Sequence, residues 1–178
     1  MNRRKFIKAS MVSSGALLGV GSGVFLYVDE IDINELTIDS SLKKLAFLSD
    51  KNLIGTGKWD PVVVFNHCAQ SVEYSMSQFP EHKSSLFKNT VGKLAFSVFT
   101  AKGKMTHGLS EPIPGAPLIK TNKNIEQALA RLKQSLIAFD KYQGSFAPHF
   151  AYGELIKREY ELAHIMHLNN HLNEIQVS

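Results

Sequence analysis

Seven histidines are spread through the 178 residues, and three of them crowd into one stretch near the C-terminus. His164, His167 and His171 follow one another at spacings of three and four. On a helix advancing about 100° per residue they share a sector of roughly 60°. Leu155, Leu162, Ile165, Leu168, Leu172 and Ile175 form an apolar face beside them, so the histidine line borders a core. The pair His167 and His171, four apart, lets one helix offer two imidazoles to a single cation. A third ligand has to come from another segment, and His67 is the natural candidate. The plain alternative is a row of hydrogen-bonded imidazoles with no ion. One objection is internal to the sequence: His67 lies about 100–160° around its helix from the strongest apolar stripe. Val63, Val64 and Tyr74 flank it, and a helix buried on both sides would still turn His67 inwards.

Other chemistry has less support. Cys68 is the only cysteine, so no intramolecular disulfide is available, and its apolar surroundings read as those of a small core residue. Glu73, Tyr74 and Glu154 are the candidate acid–base groups, against the simpler readings of solvated glutamates and a tethered tyrosine. The sequence holds no G-x-S-x-G, Walker loop, C-x-x-C or H-E-x-x-H, which removes the usual basis for a serine hydrolase, a nucleotide-binding protein or a disulfide exchanger. No catalytic residue is identified by spacing alone.

The elements that must position these groups are helical. Asp39 or Ser40 is placed to cap a helix reaching about Ser49, with Leu42, Leu45 and Leu48 facing inwards. Trp59-Asp60-Pro61 puts a capping carboxylate before a proline at the first helical position. That helix runs to about Gln78, with Phe65, Cys68, Val72, Met76 and Phe79 as its stripe. A third segment, 86–99, keeps Phe87, Val91, Leu94 and Val98 in step and ends at Gly103. The stretch 110–117 is too proline-rich for helix or central strand, and such a loop can cover a pocket or merely cross a bundle end. Ile125, Leu129, Leu132, Leu136 and Phe139 make the cleanest helical seam. A last helix is expected from about Gly153 to Glu174. No segment alternates for long, so the reading is all-α, four or five helices packed as a bundle.

Trp59 with downstream His67, then His149-Phe-Ala-Tyr-Gly153-Glu-Leu, then His167-Leu-Asn-Asn-His171-Leu, resembles a DUF1569-type family of the DinB-like superfamily. The resemblance covers most of the chain beyond the N-terminal segment. The family's closing pattern is similar to H-P-x-F-G-x-L followed by H-L-x-H-H-L-x-Q-F. Phe150 stands at the proline position, Asn170 replaces the first of the paired histidines, and Glu174-Ile175 replaces Gln-Phe. The resemblance implies a DinB-like four-helix bundle, here with an extra helix and the long proline-rich loop. It also implies a divalent metal held by His67, His167 and His171, with His149 and His164 as substitutes or outer groups. Three imidazoles suit zinc, nickel or iron(II) and leave a coordination position for water or a small-molecule substrate. Some relatives are similar to thiol-dependent transferases or isomerases, so a metal-dependent hydrolase or thiol transferase is the enzymatic expectation. A non-catalytic helical binding domain is the alternative.

The first 28 residues read separately. Asn2-Arg3-Arg4-Lys5-Phe6-Ile7-Lys8 resembles a twin-arginine export signal, and a Gly- and Ser-rich apolar run follows from Ala9 to about Val28. The Tat translocase is thus the expected partner, and the periplasm or the outer face of the cytoplasmic membrane the expected location. No A-x-A closes the run, which is long enough to span a bilayer, so an uncleaved anchor is the alternative. Membrane contact is expected only through this segment. Residues 29–38 read as a linker and 39–178 as the helical domain. Four of the 20 basic residues, Arg3, Arg4, Lys5 and Lys8, precede the first acid, Asp29, and the remainder balance the 16 acids. A nucleic-acid partner is therefore not expected.

Overall fold

A computed structural model describes residues 31–119 and 124–178; the export segment expected over 1–28 lies outside the described residues. The chain is mostly helical. Its helices are α1 (Ile38–Leu48), α2 (Pro61–Met76), α3 (Lys93–Lys102), α4 (Ile125–Lys141) and α5 (Lys157–Leu172), with a small sheet of β1 (Leu53–Gly55) and β2 (Ile175–Val177). Helix α4 packs against α1 and along α2, and α5 packs against α2 and α1, so these four helices touch in a closed ring. Helix α3 lies outside the ring, against α5.

Several starts follow from local chemistry. The Asp60 carboxylate accepts from the Val63 N–H at 2.9 Å, with Pro61 opening α2. Helix α1 begins differently from expectation. Thr37 is its cap, and the Thr37 and Ser40 hydroxyls each accept from the other's backbone N–H. Ser40 therefore serves from the third helical position, in a reciprocal box that a lone Ser40 cap could not make. Residues 31–36, in the expected linker, are held against the helices. The Ile31 N–H donates to the Lys102 carbonyl, Leu36 is buried, and Arg158 donates to the carbonyls of Ile33 and Leu36.

The third segment keeps its helical character but not its expected face. A single turn at Ser85–Phe87 runs into a π-helical turn at Lys88–Gly92 before α3 begins. A π turn holds one extra residue, which rotates everything after it by about 100°. The inward stripe shifts by one position. Val91 and Leu94 are exposed, whereas Gly92 and Phe96 are buried and Phe99 packs on the core. Gly103, at φ +64°, ends the helix as expected.

The core lies between α2, α4 and α5. Leu129, Leu132, Leu136 and Phe139 of α4 meet Val64, Phe65, Cys68 and Val72 of α2 and Leu162, Ile165 and Leu168 of α5. Helix α2 is buried on nearly every side, which resolves the objection over His67: both of its faces have partners. Strands β1 and β2 pair antiparallel, Leu53 opposite Val177 and Gly55 opposite Ile175. Strands of three residues are too short for an alternation signal, and the all-helical reading missed them. Their position matters. The sheet ties the chain entering α2 to the chain leaving α5, and the Thr56 N–H to the Glu174 carbonyl continues the tie.

Candidate metal centre

His67 comes from the second turn of α2, and His167 and His171 from the last turns of α5, next to the small sheet that joins those helices. One nitrogen from each lies within 4.8 Å of the other two. His167 Nε2 is 3.2 Å from His67 Nε2 and 3.1 Å from His171 Nε2. His67 and His171 are buried, and His167 keeps a partly exposed edge. Trp59, immediately before the Asp60 cap, stacks on the His171 ring at 5.8 Å between centroids and meets His67 edge-on at 4.8 Å.

Hydrogen bonding alone does not account for this geometry. A neutral imidazole nitrogen carries either one proton or one in-plane lone pair. His167 Nε2 can therefore make one ordinary hydrogen bond, not two. Charging a ring does not relieve the conflict, because burial and the neighbouring imidazoles disfavour a cation. Burial, then His107, lowers His67 to about 4. Burial, then His67 and His107, lowers His171 to about 3. His167 falls well below its ordinary value, by burial first and then by its four histidine neighbours. Three neutral imidazoles brought this close are a group that could hold a metal ion. Nitrogens about 2.0–2.1 Å from one tetrahedral ion are separated by about 3.3 Å; the two separations from His167 are close to that, and the His67–His171 pair falls within the wider 4.8 Å limit. His67 Nδ1 and His171 Nδ1 are buried without a partner in the protein, which costs stability.

The other expected groups go elsewhere. His149 Nδ1 accepts from the backbone N–H groups of Ala151 and Tyr152 at 3.1 and 3.2 Å. It thereby folds the turn that His149 and Gly153 close with a reciprocal pair of backbone bonds, and Gly153 supplies the φ of +78° that the turn needs. This turn occupies the expected start of the last helix, which begins four residues later at Lys157. His164 is buried between Tyr160 and Phe139 and pairs with Ser75 Oγ at 3.1 Å. Neither histidine joins the converging set. Asn170 Nδ2 is buried with no partner. Glu73 is held by Arg131 through both carboxylate oxygens, at 2.9 and 2.6 Å. Glu154 is exposed. Cys68 is a core residue, its thiol pushed up by burial.

His107 is the residue that spacing did not single out. It follows α3 at the start of the proline-rich loop, and its ring centroid is 4.9 Å from that of His167 and 5.2 Å from that of His171. Only the path of a loop brings it there, so periodicity carried no signal for it. Beside the cluster lies a cavity of about 340 Å³. His67, Ser71, His164 and His167 line it together with residues of α3, of the His149 turn, and of the segments Met105 to His107 and Glu111 to Pro114. Residues of the proline-rich loop thus line a pocket.

Among the described residues no helix is long and apolar enough to cross a membrane. Comparison with curated proteins and with solved structures gives no match. A family model described as "Protein of unknown function (DUF1569)" matches residues 29–177, from the first acid to the end of β2. The chain belongs to the DUF1569 family.

Proposed function

We propose that this protein is an exported metal-binding protein of DinB-like four-helix architecture. In this reading α1, α2, α4 and α5 are the bundle and α3 is the extra helix. His67, His167 and His171 hold one divalent transition cation, zinc, nickel or iron(II), next to a cavity that admits a small molecule. The observation that carries the reading is that three buried or half-buried imidazoles bring one nitrogen each within 4.8 Å of the other two, with His167 Nε2 set against both of its neighbours. All-imidazole ligation suits those three metals. When bound, such a cation supplies Lewis acidity at its remaining coordination position. The protein's own part is to keep the three imidazoles neutral by burial, to brace two of them with Trp59, and to line the adjoining cavity in part with the proline-rich loop.

The enzymatic form of this proposal is a metal-dependent hydrolase or thiol transferase. A non-catalytic binding domain, exported or membrane-anchored, is favoured by one observation: Glu73, the carboxylate nearest in sequence to His67 on its helix, is engaged by Arg131. We assign residues 1–28 to a twin-arginine signal or anchor that engages the Tat translocase and delivers the domain to the periplasm or the outer membrane face. That the family match begins at 29 supports this division.

Elemental analysis of the full-length protein tests the centre. About one equivalent of a transition metal is expected, lost in His167→Ala. Absence of metal from both, even after reconstitution, sinks the reading.

A further inference from the structure

The nitrogens of His107 are set by the backbone. Its Nδ1 is 2.9 Å from the Gly108 carbonyl, and a carbonyl only accepts, so Nδ1 carries the ring proton. In the neutral imidazole Nε2 is then a bare lone pair. It is buried and has no hydrogen-bond partner in the protein. Its ring is as near to His167 and His171 as that of His67, which lies 5.0 Å from each. Yet His107 is not among the residues whose nitrogens converge within 4.8 Å. The loop therefore places an unused acceptor beside the ligand set and not within it, on the wall of the cavity that also reaches His67 and His167. Donating the other ring nitrogen to a backbone carbonyl is the arrangement that fixes an imidazole's direction at a metal site.

Resting on the metal-centre reading, we propose that His107 selects the small molecule that enters the open coordination position. Its Nε2 accepts a hydrogen bond from an O–H, N–H or S–H adjacent to the atom that reaches the cation. The ligand class is thus a small donor-bearing molecule with an apolar body, because Phe87, Phe99, Phe150 and Tyr152 form much of the cavity wall.

Pyrazole and 1-methylpyrazole are matched probes, since only the first carries an N–H next to its metal-binding nitrogen. The full-length protein is loaded with cobalt(II), and each probe is titrated by visible absorption in the wild type, His107→Gln and His107→Leu. Glutamine keeps an acceptor at similar reach, whereas leucine fills the space without one. The expected result is a preference for pyrazole of about tenfold, the worth of one hydrogen bond, in the wild type and His107→Gln and its loss in His107→Leu. All three proteins should bind equal cobalt and share one ligand-free spectrum. A preference that survives in His107→Leu, or no pyrazole binding by the loaded wild type, overturns the proposal. So does cobalt lost from His107→Leu or a shift in its ligand-free spectrum, which would make His107 a metal ligand. A wild type that takes up no cobalt removes the metal centre itself, and this proposal with it.

Discussion

His164 shows how little helical spacing says about a histidine's role. It shares a face with His167, yet α5 turns it one step deeper, where it pairs with Ser75 and packs on Phe139. Burial lowers its pKa to about 3, from an ordinary value near 6.5. The unfolded chain takes up that proton as pH falls through 6.5, while the folded chain does not until about 3. Stability from this group is therefore complete above pH 6.5 and lost as pH falls through the window, at a slope approaching about 1.4 kcal/mol per unit. Urea unfolding from pH 7 to pH 4 should show a shallower decline in His164→Gln than in the wild type. Equal slopes would mean that His164 is not held neutral. His149 gives the same lesson in another form: its Nδ1 is committed to two backbone N–H groups, and the ring builds a turn.

At the scale of elements, the π-helical turn before α3 has the largest consequence. By shifting the inward stripe one residue, it brings Gly92 under the His149 turn and puts Phe99 on the cavity. The closeness of that contact is set by a missing side chain. A Cβ on Gly92 would fall 1.9 Å from the Ala151 carbonyl oxygen, a backbone atom that cannot step aside alone. Gly92→Ala should therefore separate α3 from the turn, cost stability on the order of 1–3 kcal/mol, and open the cavity to solvent. Denaturant unfolding reads the stability loss, and hydrogen exchange at Ala151 and Tyr152 the separation and opening. An alanine variant as stable and as protected as the wild type would show that the two segments do not pack this closely. The β1–β2 pair acts at the other end of the site, joining the entry to α2 with the exit from α5 so that His67 faces His167 and His171.

For the whole molecule, the proposed function separates an address from a fold. The family match lies beyond residue 28, and the surplus of positive charge lies before it. If residues 1–28 are a twin-arginine signal, replacing Arg3 and Arg4 together with lysine should leave the protein folded and metal-loaded but retained in the cytoplasm. Fractionation of cells expressing each form measures this. Export undiminished by the double replacement would assign the segment to a different route.

Much of the helical frame was legible because its signals are local. Asp60 before Pro61 announces α2 through capping, and the seam from Leu129 to Phe139 announces α4 through period alone. The His167–His171 pair was legible for the same reason, being fixed by helix geometry. The third member, His67, was named as a candidate and through the family resemblance, but period argued against it. Periodicity placed His67 off the apolar stripe of α2, and only the packing of α2 against both α4 and α5 turns it inwards. The π turn, the three-residue strands and the approach of His107 depend on contacts between distant segments, which leave no repeat in the chain. The sequence by itself therefore determined which helices form and which imidazoles they carry, since capping and period act within a few residues. Only the tertiary structure decided that three of those imidazoles come together and that His107, from a loop, lies beside them, because such approach is a property of packed surfaces.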